Sequence, residues 1–204
     1  MDILVVTGGI GSGKSEVCRI LHEEFGCGLY NADRRVKGLY DSRPALLDGI
    51  EKLTGAVLRD DKGRFVPSRL SEKIFSDKEL LLKVEDLVFP ALNEDFMSWS
   101  ENYACDRFVV FESATILEKP QLSGFGDKVI LVDAPIGIRL ERACRRDSST
   151  RESVSRRMMN QKMMNDISEG RIRPQADAVI LNVGSLDELR RDTLSVIDNF
   201  YGHI

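Results

Sequence analysis

Gly8-Gly9-Ile10-Gly11-Ser12-Gly13-Lys14-Ser15 is the stretch of this sequence whose residue types and spacing can do chemistry. Glycines so placed let successive backbone N–H groups turn inward around a phosphate, and a helix opening behind them adds its N-terminal partial positive charge. Lys14 then neutralises the β- and γ-phosphates of a nucleotide, and the Ser15 hydroxyl is suited to hold Mg²⁺. A Gly-rich turn with a surface lysine would explain the glycines but not the Gly-Lys-Ser ending. The apolar run Ile3-Leu4-Val5-Val6 in front and the helix-like Glu16-Val17-Cys18-Arg19-Ile20-Leu21 behind supply the strand and helix that a phosphate-binding loop (P-loop) needs. Gly9, Ile10, Gly11, Ser12, Gly13, Lys14, Ser15 and Glu16 are read as nucleotide-binding positions, with Ser15 as the metal ligand.

The elements that must carry this loop follow from the hydrophobic pattern. Short apolar runs alternate with longer amphipathic segments, the signature of βαβ units and a parallel sheet. Strands are expected at 2–7, 28–31, 107–112, 128–133 and 177–182. Each has a chemically useful residue at or just past its C-terminal end: the phosphate loop, Asp33, Glu112, Asp133 and Asn182. Ligands of open α/β sheets gather at that edge. Residues 34–102 read as almost wholly helical, broken by a turn at Asp60-Asp61-Lys62-Gly63, and are too long for a simple crossover. They are expected to form a helical lobe. A second helical excursion, 135–170, holds Arg139, Arg142, Arg145, Arg146, Arg151, Arg156 and Arg157. A last amphipathic helix is expected over 185–200. A core, an acceptor lobe and an arginine-rich lid make the plan of a small-molecule kinase, which must exclude water to transfer phosphate instead of hydrolysing ATP.

Asp33, two residues past the second strand, can face a γ-phosphate and take a proton from an attacking hydroxyl, or it can cap the helix that starts at Arg34. Arg142 and Arg146 are spaced i, i+4 and can reach one anion together, as arginine forks do in phosphoryl transfer. They rank ahead of Arg139 and Arg145, since most arginines on a long helix are solvated. Glu112 can hold a magnesium-bound water or a substrate group, or serve as a cap or an arginine's partner. Asp133 reads equally well as a turn residue.

With 204 residues and a net charge of −4, the chain suits one α/β domain with inserted subdomains, and carries no global basic field for sequence-independent nucleic-acid binding. It opens on Met1, as a complete gene product would. Cys18, Cys27, Cys105 and Cys144 have neither Cys-x-x-Cys spacing nor a nearby histidine, so buried free thiols in a reducing compartment are expected. No basic leader and no run of ~18 apolar residues occurs, so a cytoplasmic protein without membrane partners is expected, as a monomer or weak homo-oligomer.

The chain resembles the dephospho-coenzyme A kinases nearly end to end. The resemblance lies in Thr7 to Ser15, in Asn31-Ala32-Asp33 against the family's Asp-Ala-Asp, and in Arg69-Leu70-Ser71-Glu72-Lys73-Ile74-Phe75. It continues through Val132-Asp133-Ala134-Pro135 with Arg142 and Arg146, Arg157 to Gln161, and Ala176 to Asn182. It implies a P-loop NTPase fold with a parallel five-stranded sheet flanked by helices, a helical acceptor-binding lobe and a helical lid. It further implies a single kinase domain over 1–204, with core 1–32, 103–134 and 175–204, CoA-binding lobe 33–102 and lid 135–174. The implied reaction is ATP- and Mg²⁺-dependent phosphorylation of the ribose 3′-hydroxyl of dephospho-CoA. Asp33 would be the base, Lys14, Arg142 and Arg146 phosphate ligands, and Asn182 a nucleotide contact. Three places depart from the family: Asn31 replaces the first acid, Phe89-Pro90 stands where His-Pro is usual, and Glu112 to Glu118 differs in its middle. A nucleoside or nucleotide kinase would share the core and differ in 34–102. A P-loop switch would need no base for a substrate hydroxyl.

Overall fold

Five apolar runs form five parallel strands: β1 (Asp2–Thr7), β2 (Leu29–Asn31), β3 (Phe108–Glu112), β4 (Lys128–Asp133) and β5 (Ala178–Leu181). They lie in the order β2-β3-β1-β4-β5 in a computed structural model that describes residues 1–75, 77–119, 122 and 124–202. Residues 76, 120, 121, 123, 203 and 204 fall inside ranges read from the sequence but outside the described residues. The helices are α1 (Lys14–Phe25), α2 (Ala32–Ser42), α3 (Pro44–Thr54), α4 (Pro67–Ile74), α5 (Lys78–Ser100), α6 (Ile136–Asp147), α7 (Arg151–Met159), α8 (Lys162–Ser168) and α9 (Leu186–Tyr201).

A sheet covered on both faces needs strands that are apolar throughout, and every residue of β3 is buried. One face, built by Leu4, Val6, Phe108, Val110, Ile130 and Val132, packs on Val17 and Leu21 of α1 and on Leu189 and Ile197 of α9. On the other, Leu131 meets Met164 and Ile167 of α8, and Phe111 stacks on Tyr30 at 5.4 Å. The parallel register pairs Val6 and Asn31 with Glu112, and Asp133 with Leu181. It therefore brings the C-terminal ends of all five strands to one edge.

The chain divides into two compact units, Met1–Asn31 with Tyr103–Ile204, and Ala32–Asn102. The second is helical, with α3, α4 and α5 packing around Leu47, Ile50, Leu70, Val84 and Val88, and Leu58 joining them from the α3–α4 connection. Its expected turn is present: the N–H groups of Lys62 and Arg64 both donate to Asp60 Oδ1 at 2.9 Å. That turn also closes a small antiparallel bridge between Arg59 and Phe65, which the helical reading did not contain. α5 continues through Pro90.

Among the described residues no helix is long and apolar enough to cross a membrane. The thiols are all free, but only Cys18 and Cys27 are buried; Cys144 is half-buried and Cys105 exposed, so the expectation of four buried thiols is corrected. Burial pushes the Cys27 thiol up to about 12, which makes it a poor nucleophile.

Candidate active site

β1 ends at Thr7 and α1 starts at Lys14, so the phosphate loop is the bare turn between them. Gly8, Gly11 and Gly13 take φ values of 153°, 77° and 102°, a region that side chains with a Cβ rarely enter. The loop's glycines are also hemmed in from outside. A Cβ on Gly9 would lie 1.9 Å from Arg139 Nη2, one on Gly11 2.0 Å from the Arg139 carbonyl oxygen, and one on Gly13 2.1 Å from Asn182 Nδ2. α1 has Gly13 at its N-cap with no side-chain cap, which leaves its first N–H groups for a ligand.

Three buried polar side chains hold the loop's outward-facing groups. The Ile10 N–H donates to Gln161 Oε1 at 2.7 Å, Arg139 Nε donates to the Ile10 carbonyl at 3.0 Å, and Asn182 Nδ2 donates to the Ser12 carbonyl at 2.8 Å. Arg139 is wholly buried, Gln161 and Asn182 nearly so. Arg139 Nη1 also donates to Ser168 Oγ at 2.9 Å, and that hydroxyl donates to Asp133 Oδ1 at 2.5 Å. Burial pulls the Arg139 guanidinium down from its ordinary value, and Asp133 opposes that shift.

A cavity of about 270 Å³ opens in front of the loop, lined by Gly11, Gly13, Lys14, Ser15, Arg142 and Arg146. The i, i+4 spacing thus does bring Arg142 and Arg146 to one cavity with Lys14. Arg142 Nη1 donates to the Asn182 carbonyl at 2.9 Å, which ties α6 to the end of β5. Arg146 donates to Asp147 Oδ1 at 2.7 Å and Arg157 to Asp147 Oδ2 at 2.6 Å. These two guanidiniums, Arg146 foremost, hold the Asp147 carboxyl well below the usual carboxylate range. Arg145 is exposed and pairs with Glu141, and Arg156 with Glu152, so they behave as solvated residues.

Glu112, buried at the end of β3, gathers the other side of the loop. Ser15 Oγ donates to its Oε1 at 2.6 Å and Asn31 Nδ2 to its Oε2 at 2.5 Å. Asn31 thus acts through its amide N–H, where an acid would have set two carboxylates against each other. Ser15 and Glu112 offer oxygen only, the choice of a hard cation. Among the described residues no group of three or more His, Cys, Asp or Glu could hold a metal. A cation here would take most of its ligands from nucleotide and water, which fits Mg²⁺. Glu16 pairs with Arg19 on the exposed side of α1. Asp33 is exposed in the first turn of α2, inside the helix rather than at its N-cap, so the capping alternative does not describe it.

The sequence reading missed Gln161 as a loop ligand and ranked Arg139 too low. One signal was available: Arg139 sits in the inward stripe Ile136, Arg139, Leu140, Ala143 of α6, where an arginine is out of place unless it has buried work to do.

A parallel sheet whose first strand feeds a glycine loop, with lysine and arginines around the cavity in front of it, defines a P-loop kinase. Residues 2–188 match the family described as dephospho-CoA kinase. The dephospho-CoA kinase of Chlorobaculum tepidum is 37% identical over 190 residues, covering 91% of this chain and 88% of that one. A Thermus thermophilus protein of known crystal structure is similar with a TM-score of 0.80, at 26% identity and 98% coverage of both chains. The dephospho-CoA kinase from Campylobacter jejuni shares the fold, with a TM-score of 0.56, 22% identity and coverage of 97% and 96%. The chain belongs to the dephospho-CoA kinase family.

Asn182→Ala removes the buried donor to the Ser12 carbonyl and leaves that oxygen unpaired. It is expected to lower stability by about 1–3 kcal/mol, read from urea unfolding followed by circular dichroism, and to weaken ATP binding because the loop loses one of its three outer supports.

Proposed function

We propose that this chain transfers the γ-phosphoryl group of ATP to the ribose 3′-hydroxyl of dephospho-CoA, giving CoA and ADP. The observation that carries the reading is the phosphate loop, held open by buried side chains and faced by Lys14, Arg142 and Arg146, in a chain of this family. The loop N–H groups and Lys14 bind the polyphosphate, and Arg142 and Arg146 meet the charge that spreads over the equatorial oxygens during transfer. Mg²⁺ bound through Ser15, with Glu112 behind it, would neutralise charge on the β- and γ-phosphates. Asp33 accepts the proton of the attacking hydroxyl as the new O–P bond forms and the bond to the β-phosphate oxygen breaks, the electron pair leaving with ADP. The helical segment 33–102 serves as the acceptor lobe and 135–174 as the lid.

ADP release over a panel of dephospho-CoA, adenosine, AMP and no acceptor tests this reading; release is expected with dephospho-CoA and near background with the rest. Equal release without acceptor would make the chain an ATPase, and preference for a nucleoside or AMP would make it another kinase. Asp33→Asn keeps the side chain's size and removes its basicity. Turnover is expected to fall by roughly a hundredfold or more, with ATP affinity and melting temperature nearly unchanged. Retained turnover would remove Asp33 from the mechanism.

A further inference from the structure

Arg139 is a wholly buried cation that makes no direct ion pair among the described residues. Its Nε reaches the Ile10 carbonyl at 3.0 Å, and its Nη1 reaches Ser168 Oγ at 2.9 Å and, at 3.5 Å, the Met164 carbonyl. Its hydrogen-bonded link to Asp133 runs through the Ser168 hydroxyl, and that carboxylate offsets part of its charge from a distance. Nη2 is buried with no hydrogen-bond partner and lies against Gly9, and the Arg139 backbone lies against Gly11. A buried charge is costly unless something compensates it, and a neutral side chain could have donated the one hydrogen bond to Ile10. The guanidinium stands immediately behind the arc whose front binds phosphate, in surroundings where water screens it poorly.

We propose that Arg139 is a positioning residue of the phosphate loop whose buried positive charge, set behind Gly9 to Gly11, strengthens binding of the nucleotide polyphosphate in front. It does two things there. Nε fixes the Ile10 carbonyl outward while Gln161 fixes the Ile10 N–H, so the peptide planes on either side of Ile10 are set before any ligand arrives. The charge then adds an attraction that depends on the ligand's phosphates and not on its base or sugar. This inference rests on the reading of the loop as a nucleotide phosphate site, which ATP binding by the unaltered protein tests separately.

The experiment compares Arg139→Gln, which can still donate to Ile10 but carries no charge, with Arg139→Lys, which keeps both the charge and a donor for the Ile10 carbonyl. Affinities for ATP, inorganic tripolyphosphate and adenosine are measured by calorimetry or competition, with KM for ATP and kcat alongside. Arg139→Gln is expected to weaken ATP and tripolyphosphate by about tenfold or more and leave adenosine unchanged. KM for ATP rises while kcat stays within about threefold, because a charge behind the loop acts on bound ground state and transition state alike. Because the charge is retained, Arg139→Lys is expected to keep ATP affinity within about threefold. A glutamine variant that binds ATP like the unaltered protein, or one that loses adenosine as severely as ATP, would overturn the proposal and reduce Arg139 to a brace. If the glutamine variant does not fold, a folded lysine variant that has lost ATP and tripolyphosphate affinity overturns it equally, and one that has kept both supports it.

Discussion

A backbone that is to present its N–H groups to a phosphate must dispose of its other polar groups and its glycine faces elsewhere, and the rest of this structure depends on that requirement. Arg139, Gln161 and Asn182 take up the outward groups of Ile10 and Ser12, from α6, from the residue that caps α8, and from the end of β5. The loop is gripped so closely that no methyl group would fit at Gly9, Gly11 or Gly13. Its shape is therefore a tertiary property. The glycines permit the conformation, and three distant segments select it.

The parallel register explains how those segments arrive. Once β4 and β5 pair with Asp133 opposite Leu181, Asn182 follows directly beside the loop, and its N–H donates to the Asp133 carbonyl at 2.8 Å. Pairing of Val6 and Asn31 with Glu112 places that carboxylate where Ser15 can reach it. Any one-residue slip would swap which side chains meet the helices on each face and scatter the edge residues, so packing of the sheet and assembly of the site are enforced by the same pairing.

The strands were legible to within a residue at each end, because buried parallel strands are short continuous apolar runs and each here is bounded by polar or glycine residues. The phosphate loop was legible because its function requires particular residue types at fixed spacing. Arg142 and Arg146 could be placed on one helix face by spacing alone. Gln161 could not be recognised, since a glutamine at a helix start carries no sign of which backbone it will meet. Arg139 ranked behind Arg142 and Arg146 among seven arginines until its helix face was known, and Asn31 looked like a lost acid until its amide was found donating to Glu112. The bridge at Arg59 and Phe65 was hidden because two residues flanking a turn leave no period to read.

Buried side chains are expected to hold the phosphate loop in shape before nucleotide binds. Amide hydrogen exchange of the nucleotide-free protein, resolved by residue with NMR, measures this. The Ile10 amide, bound to Gln161 Oε1, is predicted to exchange far more slowly than an open loop would, and Gln161→Leu is predicted to release that protection. Exchange of Ile10 at the unprotected rate in the unaltered protein, with protection appearing only on addition of ATP, would contradict a preformed loop and assign its shape to the ligand.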